Sequence, residues 1–403
     1  LTRWTAVTSS PPHERNAAIT GVGKSQVGRR LGRSGLSLTI EAALAAIGDA
    51  GLAPEDIDGI ASWPGYSKDI PGMSPVAIWE VKEALGLGLN WYAGISEGPA
   101  QLSSVIEAAM AVATGRARHV LCFRTLTESS SQTAGRRASS VAGGDERIVD
   151  RYKWQVPFKA YSAANWTAMY AQARFHEFGM TRDQLAAIAL NARANAADNP
   201  DAVYRHPLTL DDYLKARMIS TPLCLYDCDV PIDGAAAVIV SAIDPARDLR
   251  NPPLRIEAAG TALFGRDSWD QRADLTSMAA MDAGPAMWER TDLKPADVDL
   301  AQVYDGFSIY VPMWLEALGF CGRGEGGAFV EGGARIARTG ELPVNTDGGQ
   351  LSAGRLHGFG LLHEACTQLW GKAGARQLMC QPQVAVVGVG GGPLASCILL
   401  TRQ

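Results

Sequence analysis

Arg355 and His357 stand two residues apart in a glycine-rich bend, Leu342-Pro-Val-Asn-Thr-Asp-Gly-Gly-Gln-Leu-Ser-Ala-Gly-Arg-Leu-His-Gly358. A histidine titrates near neutrality and can move a proton. An arginine stays charged; it can bind a carboxylate or pull down the pKa of a neighbouring phenol. Glycine permits backbone shapes and close ligand approach that a Cβ forbids. The competing reading is an ordinary strand-to-helix loop. In that case His357 caps the helix expected from Leu361 onward, and Arg355 is an ion-pair partner of Asp305 or Glu97.

Several elements must position these groups. Asn345 to Gly349 reads as a turn leaving a strand. Near the N-terminus, Ala17 to Gly23 reads as a buried strand and Ser37 to Gly51 as an amphipathic helix ended by its glycine. Leu52, Pro54, Asp56, Ile57 and Asp58 follow, before the strand-like Gly59 to Trp63. Leu293, Pro295, Asp297, Val298 and Asp299 repeat that pattern at one constant offset, again between a helix and a strand. Gln101-Leu-Ser103 is echoed by Gln350-Leu-Ser352, each ahead of a helix and a later apolar strand. The order of the echoes predicts an internal duplication. Trp154 to Phe178 is rich in aromatics, suited to the core of a subdomain or to the wall of an apolar substrate site. Asp244 to Pro253 reads as the connection between halves.

The chain has 403 residues, with 47% hydrophobic and 20% charged content, which suits a globular protein with two sizeable cores. A net charge of −5 argues against a nucleic-acid binder, which usually carries a basic face. No apolar run approaches ~18 residues, so no membrane span is expected. Seven scattered cysteines read as free thiols, and no signal pattern opens the chain, so a cytoplasmic location is expected. Cys224 and Cys228 have no second pair to complete a metal set, and no metal site is expected.

The bend resembles the signature loop of the thiolase superfamily, Asn-x-x-Gly-Gly-x-x-x-x-Gly-His-Pro-x-Gly. Asn345, Gly348, Gly349, Gly354 and Gly358 match; Arg355 stands at the catalytic His and Leu356 at the Pro. Val303-Tyr-Asp-Gly-Phe307 is similar to the His-Asp-Cys-Phe of the sterol-carrier-protein-x type, with Tyr304 at the His. The thiolase nucleophile opens the helix that corresponds to Leu102–Ala113, yet no cysteine lies between Tyr92 and Leu121. Gly388 occupies the place of the second thiolase cysteine. This pattern of losses resembles the steroid side-chain aldolases and related lipid-transfer-protein homologues, which carry a Tyr where this chain has Arg355.

The resemblance implies an α/β thiolase fold, two duplicated halves forming a five-layered αβαβα core with a loop subdomain. Its divisions would be an N-terminal arm over residues 1–16, a first half over 17–245 with the loop subdomain about 124–220, and a second half over 252–403. It implies a carbon–carbon lyase that cleaves a β-hydroxyacyl-CoA with a bulky steroid-like or other hydrophobic side chain into a ketone or aldehyde and an acyl-CoA. Tyr304 or His357 would be the base, with Arg355 favouring the phenolate and Glu97 as a further polar group. Gly98, Gly390, Gly391 and Ser352 would bind the thioester and its oxyanion, and Asp305, Asn345, Gly348 and Gly349 would support the loop. No cofactor is implied beyond the CoA thioester as substrate. The implied assembly is a homodimer joined by a small OB-fold and zinc-ribbon partner into a heterotetramer. Two alternatives stand beside it: a non-catalytic acyl-CoA- or lipid-binding homologue or scaffold, and an acetyltransferase using another cysteine.

Overall fold

The computed structural model describes residues 12–68, 70–95, 98–132, 155–264 and 272–403. In chain order the first half runs β1 (Ala17–Lys24), α1 (Gly35–Ala50), β2 (Gly59–Ser62), α2 (Ile78–Leu85), β3 (Trp91–Gly94), α3 (Ser103–Ala113) and β4 (His119–Thr127). Then come α4 (Ala163–Phe178), α5 (Arg182–Ala197), a small hairpin of β5 (Met218–Ser220) and β6 (Leu223–Cys224), and β7 (Asp233–Ala242). The second half runs β8 (Leu254–Thr261), α6 (Ala280–Trp288), β9 (Leu300–Val303), α7 (Tyr310–Ala317), α8 (Phe359–Leu369), β10 (Val384–Val389) and β11 (Ser396–Arg402).

The strands form one mixed sheet in the order β3-β2-β4-β7-β1-β8-β11-β10-β9. Among the described residues its two halves are joined where Ala18 and Ile19 of β1 pair with Arg255 and Leu254 of β8. Strands buried on both faces must be apolar on both, and the side-chain period of two then sends alternate residues to different cores. On β7, Ala236, Val238 and Val240 join a central cluster, while Ala235, Ala237 and Ile239 join a cluster with α1 and α2. On β11, Ile398 and Leu400 join the same central cluster, while Cys397 and Leu399 face α6 and α7. The central cluster also holds Val105 and Ala108 of α3 and Leu362 and Cys366 of α8. The layers therefore run helices, strands, shared helices, strands, helices: the five-layered αβαβα arrangement of the thiolase fold.

The duplication is physical. Pro54–Asp56 and Pro295–Asp297 are both short 3-10 turns, in which the Asp side chain accepts from the backbone amide of Ala53 (2.8 Å) and of Lys294 (2.7 Å). Asp58 accepts from the amides of Arg118 and His119 at the head of β4, and Asp299 accepts from Gln383 and Val384 at the head of β10. In both halves a strand glycine lets the outer helix sit directly on the strand. A Cβ at Gly21 would lie 2.3 Å from the Ala46 carbonyl of α1, and one at Gly260 would lie 2.1 Å from the Ala283 carbonyl of α6.

Two expectations need correction here. Residues 13–16 are not a loose arm. They form a turn in which buried Glu14 accepts from the Arg290 guanidinium (2.5 and 2.7 Å), and Arg15 pairs with Glu257 at 2.6 Å. Of the two readings of the Trp154–Phe178 stretch, the substrate wall is the one set aside: Tyr170 and Trp166 are buried in the subdomain, while Phe158 and Tyr161 face outward and do not line the cleft described below. Residue 154 lies outside the described residues. Among the described residues no helix is long and apolar enough to cross a membrane.

Candidate active site

The site lies beyond the C-terminal ends of β9 and β10, a parallel pair, at the end of such strands where side chains and loops converge on ligands, and β4 of the other half reaches it with Arg124. Tyr304 directly follows β9, and its amide donates to the Gly388 carbonyl of β10 at 2.8 Å. Asn345 fastens the glycine-rich bend to the same strand. Its side chain accepts from the Val303 amide (2.8 Å) and donates to the Val303 carbonyl (2.9 Å). Asp305, fully buried, accepts from the amides of Gln350 (2.9 Å) and Leu351 (3.4 Å). A Cβ on Gly349 would fall 2.0 Å from that carboxylate, so only glycine allows the loop this close. Gly349–Ala353 then makes one wide turn, closed from the Gly354 amide to the Gly349 carbonyl at 3.3 Å, a device often found at functional sites. It delivers Arg355 and His357 into a cleft of about 180 Å³.

Ile70, Met73, Phe307 and Tyr310 give the cleft its apolar wall; Glu128, Asp229, Tyr304, Arg355 and His357 give it its polar one. The Arg355 guanidinium binds Glu128 at 2.5 Å and Asp229 at 3.2 Å. Burial works against its charge, but the two carboxylates outweigh that and hold it firmly protonated. Tyr304 is pushed well above the ordinary phenol range, first by burial and then by Asp229, against the smaller pull of Arg355. Its hydroxyl has no hydrogen-bond partner among the described residues. His357, held at a φ of +45°, is pushed well below the usual imidazole range by burial and by the charges of Arg124 and Arg355. Arg124, from the middle of β4 and only 2% exposed, places its Nη2 2.8 Å from His357 Nδ1.

Two glycine bends face each other beside these groups. A Cβ on Gly390 would sit 2.8 Å from the Ala100 side chain, so the bend after β10 touches the turn before α3 that contains Gly98. The Gly390 carbonyl is pinned by the Trp314 indole at 2.9 Å, and a Cβ on Gly391 would meet the Tyr310 ring at 2.8 Å. A second basin of about 450 Å³ shares Cys228, Asp229 and Pro231 with the cleft. It carries Arg29, Arg193 and Arg217, with Arg193 5.3 Å from the Tyr204 ring centre and 5.7 Å from that of Tyr226. Among the described residues no group of three or more His, Cys, Asp or Glu side chains is placed to hold a metal ion.

Residues 264–401 match the family described as Thiolase C-terminal domain-like. The steroid side-chain-cleaving aldolase of Thermomonospora curvata is 37% identical over 87% of this chain and 89% of its own length. The 17-hydroxy-3-oxo-4-pregnene-20-carboxyl-CoA lyase of Mycobacterium tuberculosis is 36% identical over 88% of this chain and 92% of its own. The chain belongs to the thiolase superfamily, in its steroid side-chain aldolase group. A solved Ltp2-ChsH2(DUF35) aldolase superposes with a TM-score of 0.85 at 34% identity, covering 96% of this chain and 98% of that one. Human mitochondrial 3-ketoacyl-CoA thiolase, at 15% identity and a TM-score of 0.66 over 97% of this chain and 100% of its own, shares the fold.

For this aldolase-group enzyme the structure brings Tyr304, Arg355 and His357 into one cleft and sets Gly98, Gly390 and Gly391 beside it. It revises how they act. Arg355 pairs with Glu128 and Asp229, not with Asp305, and its charge is neutralised there, so it does not make Tyr304 a phenolate. His357 does not cap α8, whose N-cap is Gly358 without a side-chain bond, and burial together with the charges of Arg124 and Arg355 holds it well below the usual imidazole range. Ser352 is buried, accepts from Arg193 Nε at 3.1 Å and does not line the cleft. Asp305, Asn345, Gly348 and Gly349 hold the loop, and Gly348 (φ +105°) packs on Ala196 of α5. Glu97 lies outside the described residues. Glu128, Asp229 and Arg124 were missed by reading the sequence. Arg124 alone left a signal, a charge inside an apolar strand, where arginine is almost never buried without a partner.

Proposed function

We propose that the chain cleaves the Cα–Cβ bond of a β-hydroxyacyl-CoA by a retro-aldol reaction. The β-hydroxyl proton passes to the Tyr304 oxygen as the phenol proton is relayed, through a water in the cleft, to the Asp229–Glu128 pair. The β-carbon becomes a carbonyl, and the Cα–Cβ electron pair forms the enolate of the acyl thioester. Amides of the Gly98 and Gly390 bends stabilise that enolate, as fixed backbone donors do for developing charge. A proton returned to the α-carbon releases the acyl-CoA. The observation that carries this reading is the free Tyr304 hydroxyl in a cleft whose carboxylates are already collected around Arg355.

The apolar wall of Ile70, Met73, Phe307 and Tyr310 suits a bulky hydrophobic ketone, of steroid type by analogy with the names of the relatives. The arginine-lined basin suits the phosphate-bearing end of CoA. A small partner protein is supported by the two-component name of the similar aldolase; on this reading it is an OB-fold and zinc-ribbon chain in a heterotetramer. The edge strand β3, with Tyr92 68% exposed, is open for pairing in a homodimer. Seven free thiols suit a cytoplasmic location.

The test is ketone release from a β-hydroxyacyl-CoA with a tertiary hydroxyl, with no free CoA added. A lyase needs none. Thiolytic transfer needs free CoA and a thiol, and Cys228 is the cysteine that lines the cleft among the described residues. Release without CoA that survives Cys228→Ala supports the lyase; a strict demand for either overturns it.

A further inference from the structure

We propose that Arg124 is a positioning residue that locks His357 in the tautomer bearing hydrogen on Nε2, making His357 a hydrogen-bond donor to the thioester oxygen as it gains negative charge. A guanidinium donates and does not accept. With Arg124 Nη2 2.8 Å from His357 Nδ1, that nitrogen must offer its lone pair. The neutral ring then carries its proton on Nε2, which has no hydrogen-bond partner among the described residues, and the ring lines the cleft.

The placement identifies the oxygen served. A Cβ on Gly358, the next residue, would lie 2.6 Å from Val389 and 3.5 Å from Gln101. Those side chains adjoin the Gly390 bend and the Gly98–Ala100 turn. The backbone next to His357 is therefore packed against both bends, and on this proposal Nε2–H is a third donor beside their amides. The charged and titratable groups around it are Arg124 from β4, Arg355 on its own loop, Glu128 and Asp229 bound to Arg355, and Tyr304 after β9. None of these is a carboxylate hydrogen-bonded to the ring, so nothing there asks for an imidazolium. Arg124 itself keeps its charge, pushed down only to about 10 by burial.

The proposal rests on the lyase reading for the identity of the oxygen alone; the tautomer is read independently. The experiment is 15N-histidine NMR of the wild-type protein between pH 6 and 8, with the His357 signals assigned by their loss in His357→Gln. The expected result is a neutral Nε2–H ring across this range. A charged ring, or one with hydrogen on Nδ1, overturns the proposal whatever the activity. In Arg124→Met the ring should become a tautomer mixture, kcat should fall about 10²-fold with little change in KM, and the pH–rate profile should gain a limb near ~6.5. Arg124→Lys, which keeps a charged donor, should restore the Nε2–H form in part and serves if the Met variant does not fold. His357→Gln retains a donor amide and should keep more activity than His357→Leu. Equal losses in those two variants, or an unchanged tautomer in both Arg124 variants, overturn it.

Discussion

Arg355 meets Glu128, 227 residues earlier in the chain, at 2.5 Å, and the same guanidinium reaches Asp229 at 3.2 Å. A charge that replaces a catalytic histidine has thus become the counter-ion of two buried carboxylates. Removing it should strand both. Arg355→Gln is expected to cost about 3 kcal/mol or more, read as a lowered melting temperature, with Arg355→Lys intermediate because it keeps charge and loses the fork. Unchanged stability in the Gln variant would mean the pairs are solvated and the cleft is more open than described.

Tyr304→Phe removes the free hydroxyl and leaves the packing of the ring. Turnover should drop by about 10²-fold or more while the melting temperature stays put. Because the phenol is held above its ordinary range, the wild-type rate should show no falling limb from its ionisation below pH ~10. Full activity in the Phe variant would remove Tyr304 from the reaction.

The exposed Arg217 and Arg29 rim the basin next to the cleft. Arg217→Ala and Arg29→Ala should each raise KM for the CoA thioester several-fold, about 1 kcal/mol, and leave kcat near wild type. The difference should shrink in high salt, since exposed charge contacts are screened. A loss confined to kcat would place the phosphates elsewhere.

His357 and His363 are both held well below the usual imidazole range by burial and by neighbouring cations, Arg124 and Arg355 for the first and Lys24 and Arg376 for the second. Below pH ~6.5 the unfolded chain takes up protons that the native chain refuses. Their contribution is therefore present above that pH and lost as the medium turns acid. Melting temperature should fall between pH 7 and 5, less steeply in His363→Gln. An equal slope in that variant would show that His363 is protonated in the fold.

The sequence by itself determined the architecture and the missing chemistry. Local pattern is enough to reveal a repeated Pro-x-Asp turn, alternating apolar strands, and glycines at loop positions that admit no Cβ. The absence of cysteine before α3 is likewise a fact of the primary structure. What the sequence could not determine was the protonation and partnership of the polar groups left behind. Arg355 was expected to ionise Tyr304, but its charge is spent on Glu128 and Asp229; His357 was expected to act as a base, but Arg124 occupies its Nδ1. These outcomes depend on which distant carboxylates and cations the fold brings within a few ångströms, and on how much water it removes from them. Desolvation and Coulomb energy belong to the packed tertiary structure, so only that structure decides which of these residues donates and which accepts.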